Sequence, residues 1–162
     1  MSYAKGTKTD ASKTQSEIQT TLQRFGADGF MSGQQRLPDG TDAAMVAFQY
    51  AGKMVRFTMI LPDRSSREFQ RSPQGRVQYN EDQQLRAWDQ ACKSRWRALL
   101  LAIRAKLVAV EEGISTVEQE FLAWVVLPNG QTAGEHFLPQ IEEAAKTGAM
   151  PALPFHGEGG VS

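Results

Sequence analysis

Arg64, Arg67, Arg71 and Arg76 stand three to five residues apart, with Phe69 among them and Tyr79 just beyond. Guanidinium groups bind phosphate oxygens, and aromatic rings stack on unpaired bases. This is a pattern suited to single-stranded nucleic acid. Arg86, Lys93, Arg97 and Arg104 follow, and on an ideal helix they fall within about 40° of one another. That stripe lies about 115° from the centre of the apolar stripe of the same segment, so it is expected to face solvent. Between Lys53 and Lys106 there are 12 basic and 5 acidic side chains, a net of +7. Between Leu107 and Ser162 there are 1 basic and 8 acidic, a net of −7, and the whole chain is neutral. A positive block concentrates anions near it. The competing reading is a solvated helix face, or a basic block neutralised by the acidic C-terminal third.

Catalytic chemistry finds little support. His136 and His156 are twenty residues apart, and Cys92 is the single cysteine. That set is poor for a metal site and excludes a disulfide within one chain. Glu118 and Glu120, two apart on an expected helix, point to different sides. Asp63 and Glu68 lie in a loop with no histidine near them in sequence. Nothing pairs a nucleophile with a base. The glycines of Gly26–Gly29 and Gly157–Gly160 lack the spacing and the strand-to-helix setting of a phosphate loop. No catalytic residue, no metal and no cofactor is expected.

At 162 residues and 41% hydrophobic, the chain is expected to form one domain over 13–150. The polar stretch 1–12 reads as a flexible arm and the Pro- and Gly-rich 151–162 as a flexible tail. No apolar run is long enough to span a bilayer, and the N-terminal residues do not resemble a secretory signal. A cytoplasmic protein with no membrane partner is expected.

The fold class predicted is α+β: a small antiparallel sheet built on a hairpin at 44–61, packed on one long helix at 81–112, with shorter flanking helices. A first helix runs from about Lys13 to Phe25, capped by Ser12. In the hairpin, Ala51-Gly52 forms the turn, which opposes Tyr50/Lys53, Phe48/Val55, Val46/Phe57 and Ala44/Met59. A weaker strand is expected at Gly29–Gln35, and Asp63–Asn80 reads as a long loop. The long helix is capped by Asn80 and carries Leu85, Trp88, Cys92, Trp96, Leu99, Ile103, Leu107 and Val110 as one stripe. Ser115–Glu118 resembles a capping box for a helix to about Trp124 or Val126. Thr132 caps a last helix to Thr147, which Pro139 is expected to kink or divide.

Several phrases together resemble a family of small uncharacterised proteins encoded by temperate bacteriophages and prophages. They are Trp88-Asp-Gln-Ala-Cys92, Arg95-Trp-Arg-Ala-Leu99, Glu118-x-Glu-Phe-Leu122, Leu127-Pro-Asn-Gly130 and Leu138-Pro-Gln-Ile-Glu-Glu143. Arg24-Phe-Gly-Ala-Asp28 and the strand from Val55 to Asp63 belong with them. The resemblance implies a phage gene product in the cytoplasm of the bacterial host, and supplies no catalytic residues. Two functions follow as expectations. The first is a nucleic-acid-binding accessory protein, using the arginines above with Phe69 and Tyr79. The second is a protein-binding module that inhibits or modulates a host factor or defence system. A long amphipathic helix also leaves room for a homo-oligomer.

Overall fold

The computed structural model describes residues 2–150, with side chains from residue 12 onward. The element order is α1 (Ser2–Arg24), β1 (Asp28–Arg36), β2 (Asp42–Tyr50), β3 (Lys53–Ile60), α2 (Glu81–Glu111), α3 (Val117–Phe121) and α4 (Ala133–Thr147). Single 3-10 turns lie at Arg67–Phe69 and Leu122–Trp124. The fold class is α+β, as the periodicities predict.

The three strands form an antiparallel meander in the order β1-β2-β3. The register of the hairpin is the expected one: Tyr50 opposes Lys53, Phe48 Val55, Val46 Phe57 and Ala44 Met59. It is set by burial, because a slip of one residue would turn Val46 and Phe48 out of the core. Both turn residues have positive φ, Ala51 at 49° and Gly52 at 76°. Glycine adopts this conformation freely, whereas alanine is strained there. β1 pairs with β2 through Met31/Ala47, Gly33/Met45 and Gln35/Ala43, after an irregularity between Asp28 and Met31.

One face of the sheet packs against α1 and α2. Ile18 and Leu22 of α1, Val46, Phe48, Val55 and Phe57 of the sheet, and Trp96, Leu100, Ile103 and Leu107 of α2 make one buried cluster. Phe121 of α3 closes it, meeting Phe48, Tyr50 and Phe57 edge-on with ring centroids 5.9–6.3 Å away. The apolar stripe of α2 is rotated slightly from its expected position. Leu100 is buried where Leu99 is only half-buried, and Leu85 is exposed. The rotation lets α2 face α1 and the sheet together, a direction that the stripe's own centre does not encode.

Other expectations need correction. The first helix begins at Ser2 rather than Lys13, so Ser12 lies inside it and is not its cap. No proline interrupts 2–12, and Lys, Ala and Thr all tolerate a helix. The tail expected at 151–162 falls outside the described residues. Asp63–Asn80 is not bare loop. The Arg67–Phe69 turn anchors Phe69 in the core, and Arg71 bridges to Gln78 around the turn at Gly75. The capping box of α3 is Thr116 with Gln119 rather than Ser115 with Glu118. α4 continues through Pro139 undivided.

Candidate functional site

The chain after α2 builds a groove. Thr116 caps α3, and Phe121 pins it to the core. Trp124 then lies against Phe57, with ring centroids 4.7 Å apart. The chain next runs along the edge of β3, where the Val126 N–H donates to the Met54 carbonyl at 2.9 Å. It reverses at Leu127-Pro-Asn-Gly130, and the Ala133 N–H donates back to the Val125 carbonyl at 2.8 Å. Thr132 and Glu135 form a reciprocal capping box that starts α4. Gly134 fits tightly here: a Cβ at this position would sit 2.9 Å from the Ala123 carbonyl oxygen.

Beyond that first turn α4 leaves the body, and Ala133 is its one buried residue. Phe137, Leu138, Ile141 and Ala145 fall on a common helical face. Helices of this length are held mainly by burying such a face. Here it borders an open groove of about 890 Å³, lined among others by Lys106, Leu122, Trp124, Phe137, Leu138, Ile141 and Met150. Leu138 is 53% and Ile141 56% exposed. None of the groove residues figured among the expected site residues. The spacing of α4 shows an apolar face, but spacing does not show whether another element covers it.

The carboxylates around the groove divide into paired and unpaired. Glu118 meets Lys53 at 3.1 Å, and Glu135 meets Arg56 at 3.5 Å, Arg56 also donating to the Gly130 carbonyl. Glu118 is held below the usual carboxylate range by its own backbone N–H first and by Lys53 next. Lys106 donates to the Glu120 backbone carbonyl at 3.0 Å and approaches its carboxylate at 3.7 Å, while Ser115 Oγ donates to Glu120 Oε1. Among the described residues, no ion pair includes Glu111, Glu112, Glu142 or Glu143. Glu111 also occupies the last turn of α2, which holds no cation to balance the negative end of the helix dipole.

The expected nucleic-acid residues take unlike positions. Phe69 is 3% exposed, so its ring is core and presents no face to a base. Its neighbours explain why: the 3-10 turn folds the segment back onto α2. Arg64 is structural. Its Nε and Nη2 donate to both carboxylate oxygens of buried Asp42, at 3.0 and 3.3 Å, and its guanidinium lies 4.0 Å from the Trp88 ring centroid. Trp88 in turn donates to the Pro62 carbonyl at 2.7 Å. Tyr79 is half-buried and its backbone is tied to Gln70 and Gln84. Arg67, Arg71 and Arg76 are exposed on the structured loop. Arg86, Lys93, Arg97 and Arg104 do share one side of α2, and Arg86 and Lys93 each interact with a neighbouring group.

Beside Trp88, Cys92 is buried, and its thiol is pushed up to about 12 by that burial, with Asp89 and Asp42 adding to it. A thiol so held is neutral and a weak nucleophile at neutral pH. His136 rests on the surface turn, its Nδ1 3.2 Å from Gln131 Oε1. Among the described residues, no group of three or more His, Cys, Asp or Glu side chains gathers to hold a metal ion. No described helix is long and apolar enough to cross a membrane. No family model, curated protein or solved structure matches the chain.

Proposed function

We propose that this protein is a non-catalytic protein-binding module whose groove between α3 and α4 receives a helical segment of another polypeptide. One observation carries this reading: α4 is an amphipathic helix whose apolar face is left uncovered by the described residues around it. The groove lies within the size range of small-molecule sites, but its long helical wall suits a helix laid into it, with anchors at i, i+3, i+4 and i+7. The phage resemblance favours a setting in the bacterial cytoplasm with a host factor as target. The test is binding of a synthetic leucine–lysine helix with leucine at those four spacings, read from the emission of Trp124 and from the anisotropy of a labelled peptide. Leu138→Lys with Ile141→Lys should abolish binding and leave the far-UV spectrum intact. Equal binding by the variant and the wild type sinks the reading.

Nucleic-acid binding stands as a second reading, favoured by the destination of the paired glutamates. Glu118, Glu120 and Glu135 pair with Lys53, Lys106 and Arg56, so they leave Arg67, Arg71, Arg76, Arg97 and Arg104 without an ion pair among the described residues. With Phe69 in the core, such binding would be backbone contact with little base stacking. Affinity for a labelled single strand should then fall steeply as salt rises. Arg97→Gln with Arg104→Gln should weaken it for all sequences alike; no measurable affinity at low salt removes this reading.

A further inference from the structure

We propose that residues 151–162 are a built-in competitor for the groove: Leu153 and Phe155 seat against the apolar face of α4 of the same chain, and leave before an outside helix enters. The competition, unlike the seating, rests on the reading of the groove as a helix-binding surface. α4 ends at Gly148, whose φ of 70° turns the chain out of the helix while its N–H donates to the Ala144 carbonyl at 2.8 Å. Two residues later Met150 already lines the groove, so residue 151 starts beside it. Ile141 and Leu138 stand seven and ten residues before Gly148, about 10 and 15 Å back along the helix axis. Leu153 and Phe155 stand five and seven residues after it, and an extended chain spans up to about 17 and 24 Å over those separations. Leu153 can therefore reach Ile141, and Phe155 can reach Leu138.

The chemistry of the two surfaces matches. Pro151-Ala-Leu-Pro-Phe155 carries no charge and is apolar throughout. The charged groups that line the groove, Lys106 and Glu120, neutralise each other, which leaves an apolar lining around Trp124, Leu138 and Ile141. An uncharged occupant suits such a lining, because a charged one would be desolvated without a partner. Pro151 and Pro154 have no N–H to desolvate there, and their fixed φ reduces the entropy lost on seating. A tether this short presents the segment at a concentration on the order of millimolar. A contact of only millimolar affinity then fills the groove about half the time and lowers the apparent affinity of an outside helix about twofold.

The experiment compares the full chain with a chain ending at Met150 and with Leu153→Ser, Phe155→Ser, by NMR of isotope-labelled protein and by anisotropy of the labelled leucine–lysine helix. Both changes should shift the indole N–H signal of Trp124 and the amide signals of Leu138 and Ile141, and leave the indole signals of Trp88 and Trp96 in place. In a chain carrying Leu138→Lys with Ile141→Lys, the same serine substitutions should leave Trp124 unmoved. Affinity for the leucine–lysine helix should rise about two- to threefold on truncation and on serine substitution alike. Unmoved Trp124, Leu138 and Ile141 signals overturn the inference; if the helix still binds, the helix-binding reading survives it. Shifts that grow with protein concentration put the segment in the groove of a second copy and overturn it as well. Shifts with an unchanged helix affinity overturn the competition. Shifts with no helix bound by any form, the truncated one included, overturn both the competition and the helix-binding reading, and leave the groove to the chain's own segment.

Discussion

Ile103 and Ile141 are the same residue type, both in the middle of helices, and they differ in what covers them. Ile103 is fully buried in the cluster between α2, α1 and the sheet, whereas Ile141 keeps 56% of its surface in contact with solvent. Truncation to alanine removes three carbons, worth roughly 2.4 kcal/mol of transfer free energy at about 0.8 kcal/mol per CH2. At Ile103 all of that is lost and a cavity is added, so Ile103→Ala should cost about 2–5 kcal/mol. At Ile141 under half of the surface is buried, which reduces the transfer loss to about 1 kcal/mol, and the neighbouring groove is already open. Alanine is also the better helix former by a few tenths of a kcal/mol. Ile141→Ala should therefore cost about 0.5–1 kcal/mol. Urea unfolding followed by circular dichroism measures both, with equal slopes showing that the same surface is exposed on unfolding. If Ile141→Ala proves as costly as Ile103→Ala, the groove is filled in the free protein and the case for an external occupant collapses.

Gly134→Ala should destabilise by about 1–3 kcal/mol, since its Cβ would meet the Ala123 carbonyl oxygen at 2.9 Å; the displacement of α4 would show as a shift in Trp124 emission. Arg64→Ala leaves Asp42 buried without its bidentate partner and should lower stability by about 1–3 kcal/mol in thermal unfolding, whereas a surface arginine used only for ligand contact would leave the midpoint unchanged. Ala51→Asn, relieving alanine at a φ of 49°, should raise stability by about 0.5–1 kcal/mol in the same urea assay. Cys92 has a folded-state value of about 12 against an ordinary value of 9.0, so the folded chain holds a proton that the unfolded chain releases. Its contribution to stability is complete below pH 9 and is lost as pH rises from 9 towards about 12; Cys92→Ala should flatten that part of the stability profile.

What the chain declares about itself is uneven. The hairpin is legible residue by residue, because Val46, Phe48, Val55 and Phe57 alternate with less apolar neighbours around Ala51-Gly52, and a shifted register would expose them. The cap at Asn80, the cap at Thr132 and the stop at Gly148 are legible for the same local reason: each satisfies a backbone group within a few residues. The fate of Phe69 was not. An aromatic flanked by arginines has the same spelling whether it stacks on a base or plugs a core. Only the 3-10 turn that folds it onto α2 decides between them. The pairing of Arg64 is not legible either, since its partner Asp42 lies twenty-two residues away in sequence. The groove escaped for the opposite reason. Every amphipathic pattern implies a covered face, and among the described residues α4 has the pattern without the cover.

The two functional readings rest on different side chains, Arg97 and Arg104 of α2 for phosphates and Leu138 and Ile141 of α4 for a helix, so each pair of substitutions tests one reading and leaves the other intact. A neutral chain can nonetheless remain polar. Glu118, Glu120 and Glu135 neutralise Lys53, Lys106 and Arg56 inside the molecule, where the contacts hold α3 and α4 in place. Among the described residues, Arg67, Arg71, Arg76, Arg97 and Arg104 and the carboxylates of Glu111, Glu112, Glu142 and Glu143 stand outside any ion pair. Charges so placed are solvated and screened in the free protein, and a ligand of opposite sign could meet them.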